Sequence, residues 1–144
     1  MKNLLLYVHL VLIAVMFGSA SLAQEKPTEP ALLVELNTAE TTTGACRLSF
    51  LIQNEHSVAI DQVVFETVLF DANGEVSQLT LFDFGSLPSG RPRVRQFELP
   101  NISCDGLSSI LINGATSCDA GQLDKTICDS SLELKSRTNI EMLG

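Results

Sequence analysis

Two apolar arms flank Asn73-Gly74 in the segment from Val63 to Gly85, VVFETVLFDANGEVSQLTLFDFG. Val, Leu, Phe and Thr dominate both arms, as a pleated and largely buried surface requires. Asn-Gly supplies the positive φ angles of a tight type I′ turn, so the pattern predicts a β-hairpin. Val63, Phe65, Thr67 and Leu69 share one side of the first arm, and Val64, Glu66, Val68 and Phe70 the other. Both sides are mostly apolar, which predicts a central strand or a face covered by something else. In the return arm Val76 is out of phase with Leu79 and Leu81, and a β-bulge near Ser77-Gln78 would restore the phase.

The same period of two recurs on both sides of this hairpin. Leu32, Val34 and Leu36 alternate as a first short strand, and Thr41 to Gly44 reads as a turn. Cys46, Leu48, Phe50 and Ile52 share one face of a second strand that ends at Asn54. Gly85 to Gly90 is a loop by composition, and Arg91 to Leu99 is a strand closed by Pro100. In the next strand Ile110 and Ile112 face one way, and counting back by twos brings Cys104 onto that face. Cys118 to Cys128 encloses a small excursion with a helical turn starting near Asp124. The final stretch places Leu132, Leu134, Ser136, Thr138, Ile140 and Met142 on one side as a last strand. About seven strands with almost no helix predict an all-β, antiparallel β-sandwich.

The first residues change the picture by adding a compartment. Lys2 precedes an apolar run from Leu4 to Phe17, and small residues follow from Gly18 to Ala23, the pattern of a signal peptide cleaved after Ala23. The run is shorter than the roughly 20 residues that span a bilayer. No Arg-Arg pair precedes it, so the general secretory route is expected, with a periplasmic or secreted product and no transmembrane anchor after cleavage. Residues 24–30, QEKPTEP, predict a flexible lead, and residues 31–144 one sandwich domain. Loss of Lys2 with the signal takes the net charge from −8 to −9. So acidic a chain is a poor general binder of nucleic acid, and the charge suits a soluble exported domain.

All four cysteines, Cys46, Cys104, Cys118 and Cys128, follow the signal. An even number in an oxidising compartment predicts two disulfides, for which three pairings exist. Cys46 and Cys104 both lie on core-facing phases, so we expect them to pair between the sheets, leaving Cys118 with Cys128. With His56 the only histidine after the signal and no C-x-x-C pair, no metal site and no cofactor are expected.

Arg91, Arg93 and Arg95 are the one concentration of positive charge and the leading candidate binding site. On an extended strand alternate residues share a face about 7 Å apart. Such a strip could read carboxylates, phosphates or an acidic partner by paired hydrogen bonds. The plainer reading is cross-strand pairing with Glu66, Asp71, Glu75 or Asp83. Asp71 and Asp83 flank the hairpin, too few oxygens for calcium by themselves, and His56 reads as a solvated loop residue. Asn101-Ile102-Ser103 fits a glycosylation sequon.

Phe50-Leu51-Ile52-Gln53-Asn54, Leu69-Phe70-Asp71-Ala72-Asn73-Gly74, Leu87-Pro88-Ser89-Gly90 and Phe97-Glu98-Leu99 follow one another in an order similar to the FxLYD type of small exported bacterial domain. The mature chain also resembles an uncharacterised family of bacterial envelope proteins, some with twin-arginine signals, which this chain lacks. The resemblance implies an immunoglobulin-like sandwich and no catalytic residues.

The expectation is therefore an exported, non-catalytic sandwich acting as a binding or accessory protein of the envelope, its partner another envelope protein or an anionic ligand. The alternatives are an enzyme with a site assembled from Asp71, Asp83 and Arg93, and a purely structural envelope component.

Overall fold

The computed structural model describes residues 31–144; the expected signal (1–23) and lead (24–30) lie outside the described residues. Eight strands follow in order: β1 (Leu32–Thr42), β2 (Ala45–Asn54), β3 (Ile60–Asp71), β4 (Val76–Leu87), β5 (Arg93–Pro100), β6 (Leu107–Asp119), β7 (Leu132–Ser136) and β8 (Glu141–Leu143). Side chains alternate across a strand, and that alternation selects the core. Leu32, Val34 and Leu36 of β1, Leu48, Phe50 and Ile52 of β2, and Val63, Phe65 and Leu69 of β3 are all fully buried.

The strands form two four-stranded sheets, ordered β5-β2-β1-β7 and β4-β3-β6-β8. Packed face to face over one apolar core they make the all-β sandwich that the alternation predicts. Two features depart from the expected seven antiparallel strands. β7 runs parallel to β1, and β8 runs parallel to β6. Both follow from one break in the final run. After Ser136 the Arg137 N–H donates to Leu36 O at 2.9 Å, and the chain then crosses to the other sheet. Ile140 is buried beyond the crossing.

The hairpin also differs in its turn. Gly74 has φ 79°, but Asn73 keeps a negative φ, so the turn is not type I′. Instead Gly74 N–H donates to Asp71 O, and Asp71 Oδ1 accepts from the N–H groups of Asn73 and Glu75. This is a three-residue loop closed by a left-handed glycine. The expected bulge is present: Leu69 pairs with Gln78 but Phe70 with Val76, leaving Ser77 extra.

Both disulfides form as expected, Cys46–Cys104 with Cα atoms 4.9 Å apart and Cys118–Cys128 with Cα atoms 6.1 Å apart. Cys104 sits not on a strand but in a 3-10 turn, Cys104–Gly106, just before β6. Cys46 belongs to β2 of the other sheet, so the bond still ties one layer to the other. Cys128 closes a second 3-10 turn, Lys125–Cys128, whose N-cap Asp124 accepts from Thr126 N–H.

Aromatic packing fixes the side of the sandwich where β4 and β5 lie. Phe50 of β2 meets Phe82 and Phe84 of β4 at centroid distances of 5.7 and 5.6 Å. Phe97 of β5 stacks on Phe82 at 4.2 Å. β4 and β5 are thus the two edge strands on one side, held together by rings rather than by backbone pairing.

Candidate functional site

The row that continues Phe97 and Leu99 along β5 is Arg95 and Arg93, so these arginines point toward the neighbouring sheet and not outward. Arg95 Nε donates to Phe84 O at 2.7 Å and Arg95 Nη2 to Ser86 O at 3.1 Å. Both carbonyls belong to the free edge of β4. Guanidinium supplies the planar fork that two carbonyls on one strand edge require. Arg93 donates to Pro92 O at 3.1 Å, and Arg91 is exposed in the loop before β5.

The expected pairing of this strip with Glu66, Asp71, Glu75 or Asp83 is therefore absent among the described residues. Arg91, Arg93 and Arg95 pair with no carboxylate there; the ion pairs are Arg47 with Glu40 and Glu98, Lys135 with Glu133, and Arg137 with Glu35. The acids have other partners. Glu66 accepts from Asn113, and Asp83 accepts from Gln62 Nε2 and from Gly85 N–H.

Asp71, Asp83 and Arg93 do not come together. Asp83 lies opposite Val64, whereas Asp71 ends the same strand β3 beside the turn. Seven residues of strand separate those positions, about 23 Å. Among the described residues no three His, Cys, Asp or Glu side chains gather as a metal site would need.

Two shallow concavities lie away from the arginines. One, of about 410 Å³, is lined by Ala39, Asp105, Arg137 and Thr138. The other, of about 490 Å³, borders the Cys118–Cys128 excursion at Thr116, Ser117, Asp119 and Asp129. One polar group in each is already engaged. Arg137 Nε is 2.7 Å from Glu35 Oε1, and Asp129 Oδ1 accepts from Ala115 N–H at 2.7 Å.

The shifted titrations fall at such structural contacts. Hydrogen bonds from Asn37 and Arg137 hold Glu35 below the ordinary carboxylate range. The Thr126 N–H at the cap lowers Asp124, while Glu98 raises Arg47 and Glu133 raises Lys135.

The fold also creates a contact that sequence spacing hides. Ser131 Oγ lies 3.3 Å from His56 Nε2 across 75 residues. The same hydroxyl donates to Ile127 O, and neither residue lines the concavities above. A nucleophilic serine would need its proton directed at the imidazole, so this is a loop-to-loop tether.

What remains open is β4 itself. Val76, Leu79 and Leu81 are each 59 % exposed, and they form the outer row of an edge strand. Further along the same edge Arg95, which pairs with no carboxylate among the described residues, caps Phe84 O and Ser86 O. Together the fold and this side define a disulfide-stapled sandwich whose flat apolar edge ends at Arg95. Comparison with protein-family models, with curated proteins and with solved structures finds no match for this chain.

Proposed function

We propose that this protein is an exported, non-catalytic sandwich that serves as a binding or accessory protein of the cell envelope, engaging another protein along the β4–β5 side. The observation that carries the reading is the row Val76, Leu79 and Leu81, left exposed on an edge strand. Concentrated exposed apolar surface on a folded domain marks an interaction site, and edge strands accept partner chains. Arg95, further along the same edge, favours partners that carry carboxylates nearby.

Export through the general secretory route, to the periplasm or the medium, is supported by the N-terminal pattern and by two disulfides, which persist in oxidising compartments. Among the described residues no helix is long and apolar enough to cross a membrane. The likeness to FxLYD-type domains rests on the motif residues alone, and the reading does not depend on it.

Photocrosslinking in purified envelopes tests the proposal. A photoreactive residue at Leu79 is expected to give a discrete protein adduct, whereas one at Glu40 on the other sheet is not. Equal labelling at both positions, or none at Leu79, would overturn it. Export itself predicts an extracytoplasmic product whose mass begins at Gln24.

A further inference from the structure

We infer that the partner strand at β4 is the β4 of a second copy of this chain, added antiparallel about a two-fold axis through Thr80. The inference rests on the β4 reading above and names its occupant.

Exposure on the outer face of this sheet is an edge effect. Leu79 and Val68 face each other across the β3–β4 ladder, yet Leu79 is 59 % exposed and Val68 only 7 %. Val68 has a strand on each side; Leu79 has one. A strand added to β4 would enclose Leu79 as β4 encloses Val68.

The direction of the backbone groups says where such a strand can bond. Arg95 reaches Phe84 O and Ser86 O from the free side. Phe84 is an extra residue in the β3 ladder, so the alternation of carbonyl direction changes phase there. Asp71 N–H donates to Glu75 O on the β4 side, and Thr116 Oγ donates to Val64 O from β6. Gln78, Thr80 and Phe82 therefore bond to β3, while Leu79 and Leu81 present their N–H and C=O groups to the free side. Among the described residues those groups receive no partner. Arg95 closes the Phe84 and Ser86 carbonyls, which leaves Leu79 and Leu81 as the open edge.

That short edge is complementary to itself. With Thr80 opposite Thr80, the edge-facing residues Leu79 and Leu81 lie opposite each other in both directions. The same register sets Leu79 against Leu81 twice on the outer face, an apolar cross-strand pair. Asp83 meets Ser77. Glu75 falls beside Phe84 and Gly85 of the second copy, where that copy's Arg95 Nη2 lies 4.0 Å from the position a Gly85 Cβ would take. A parallel pairing in register would instead put Glu75 beside Glu75 and Asp83 beside Asp83. Charge therefore selects the antiparallel arrangement, and the two-fold contact closes on itself.

Light scattering and sedimentation across a concentration series of the oxidised chain from Gln24 to Gly144 test this. The chain is expected to dimerise, and Leu79→Lys with Leu81→Lys to raise the dissociation constant about tenfold or more. Leu81→Pro removes an edge-facing N–H without touching the β3 ladder, and it should do the same with the fold retained by circular dichroism. A chain that stays monomeric to about 0.1 mM, or a dimer indifferent to both variants, would overturn the inference. If the monomeric chain still crosslinks to a different protein at Leu79, self-pairing falls while the proposed function stands; no crosslink of either kind removes both.

Discussion

Asn54 Nδ2 donates to Leu87 O at 3.0 Å, joining the end of β2 to the end of β4 across 33 residues, with Asn54 wholly buried. The same amide donates to Val58 O at 2.8 Å and accepts from His56 N–H at 3.0 Å. Its backbone carbonyl accepts from Gly90 N–H at 2.7 Å. One side chain thus satisfies the polar groups of two loops that turn at the same end of the sandwich, next to the β4–β5 side.

Replacing it leaves those groups buried without partners, each at a cost of about 1–3 kcal/mol. Asn54→Ala is expected to lower unfolding free energy by about 3 kcal/mol. Asn54→Asp keeps the acceptor and loses both donors, and should also be destabilising. Urea denaturation of the oxidised protein measures both.

Arg95 acts through geometry as well as charge. Arg95→Lys offers no planar fork to Phe84 O and Ser86 O, so it should not rescue the loss of about 1 kcal/mol expected for Arg95→Ala. Hydrogen exchange should report faster opening on both edge strands. Equal stability of the Lys variant and the parent would show that the fork is dispensable.

The two disulfides close loops of different length, with sequence separations of 58 and 10. In the chain-entropy model they stabilise by about 4 and 3 kcal/mol respectively. Cys46→Ala with Cys104→Ala is therefore expected to cost more than Cys118→Ala with Cys128→Ala, as read by guanidinium denaturation. The reverse order would mean that the small excursion contributes more than its loop length implies.

Glu35 links β1 to the crossing between β7 and β8 through Arg137, and its folded pKa lies below the ordinary value. A lowered carboxyl pKa contributes stability above the unfolded value and loses it as pH falls through the folded one. The chain should therefore lose stability on acidification below the ordinary glutamate range. Glu35→Gln should show a smaller loss over that window in thermal unfolding at a series of pH values.

Much of the architecture is legible in single-residue periodicity. The core faces of β1, β2 and β3, the bulge at Ser77 and the cap at Asp124 follow from alternation and local turn chemistry, which act over a few residues. The turn at Asn73-Gly74 was less accessible, because the Asp71 carboxylate recruits the N–H groups of Asn73 and Glu75 and selects a longer loop. The break between β7 and β8 is invisible for a related reason. A chain that changes sheets keeps one side toward the same core, so Leu134 and Ile140 stay in phase across the crossing.

The candidate site divides along the same line. Arg91, Arg93 and Arg95 stand out as a charge pattern, but where their guanidinium groups point depends on which edge lies beside β5. The sequence by itself determined a sandwich core, because burial periodicity is a property of one strand at a time. Only the tertiary structure decided that Arg95 caps β4 carbonyls, that Asp71 and Asp83 lie far apart, and that Leu79 is bare where Val68 is covered. Those outcomes depend on strand order, which is set by long-range packing among all eight strands.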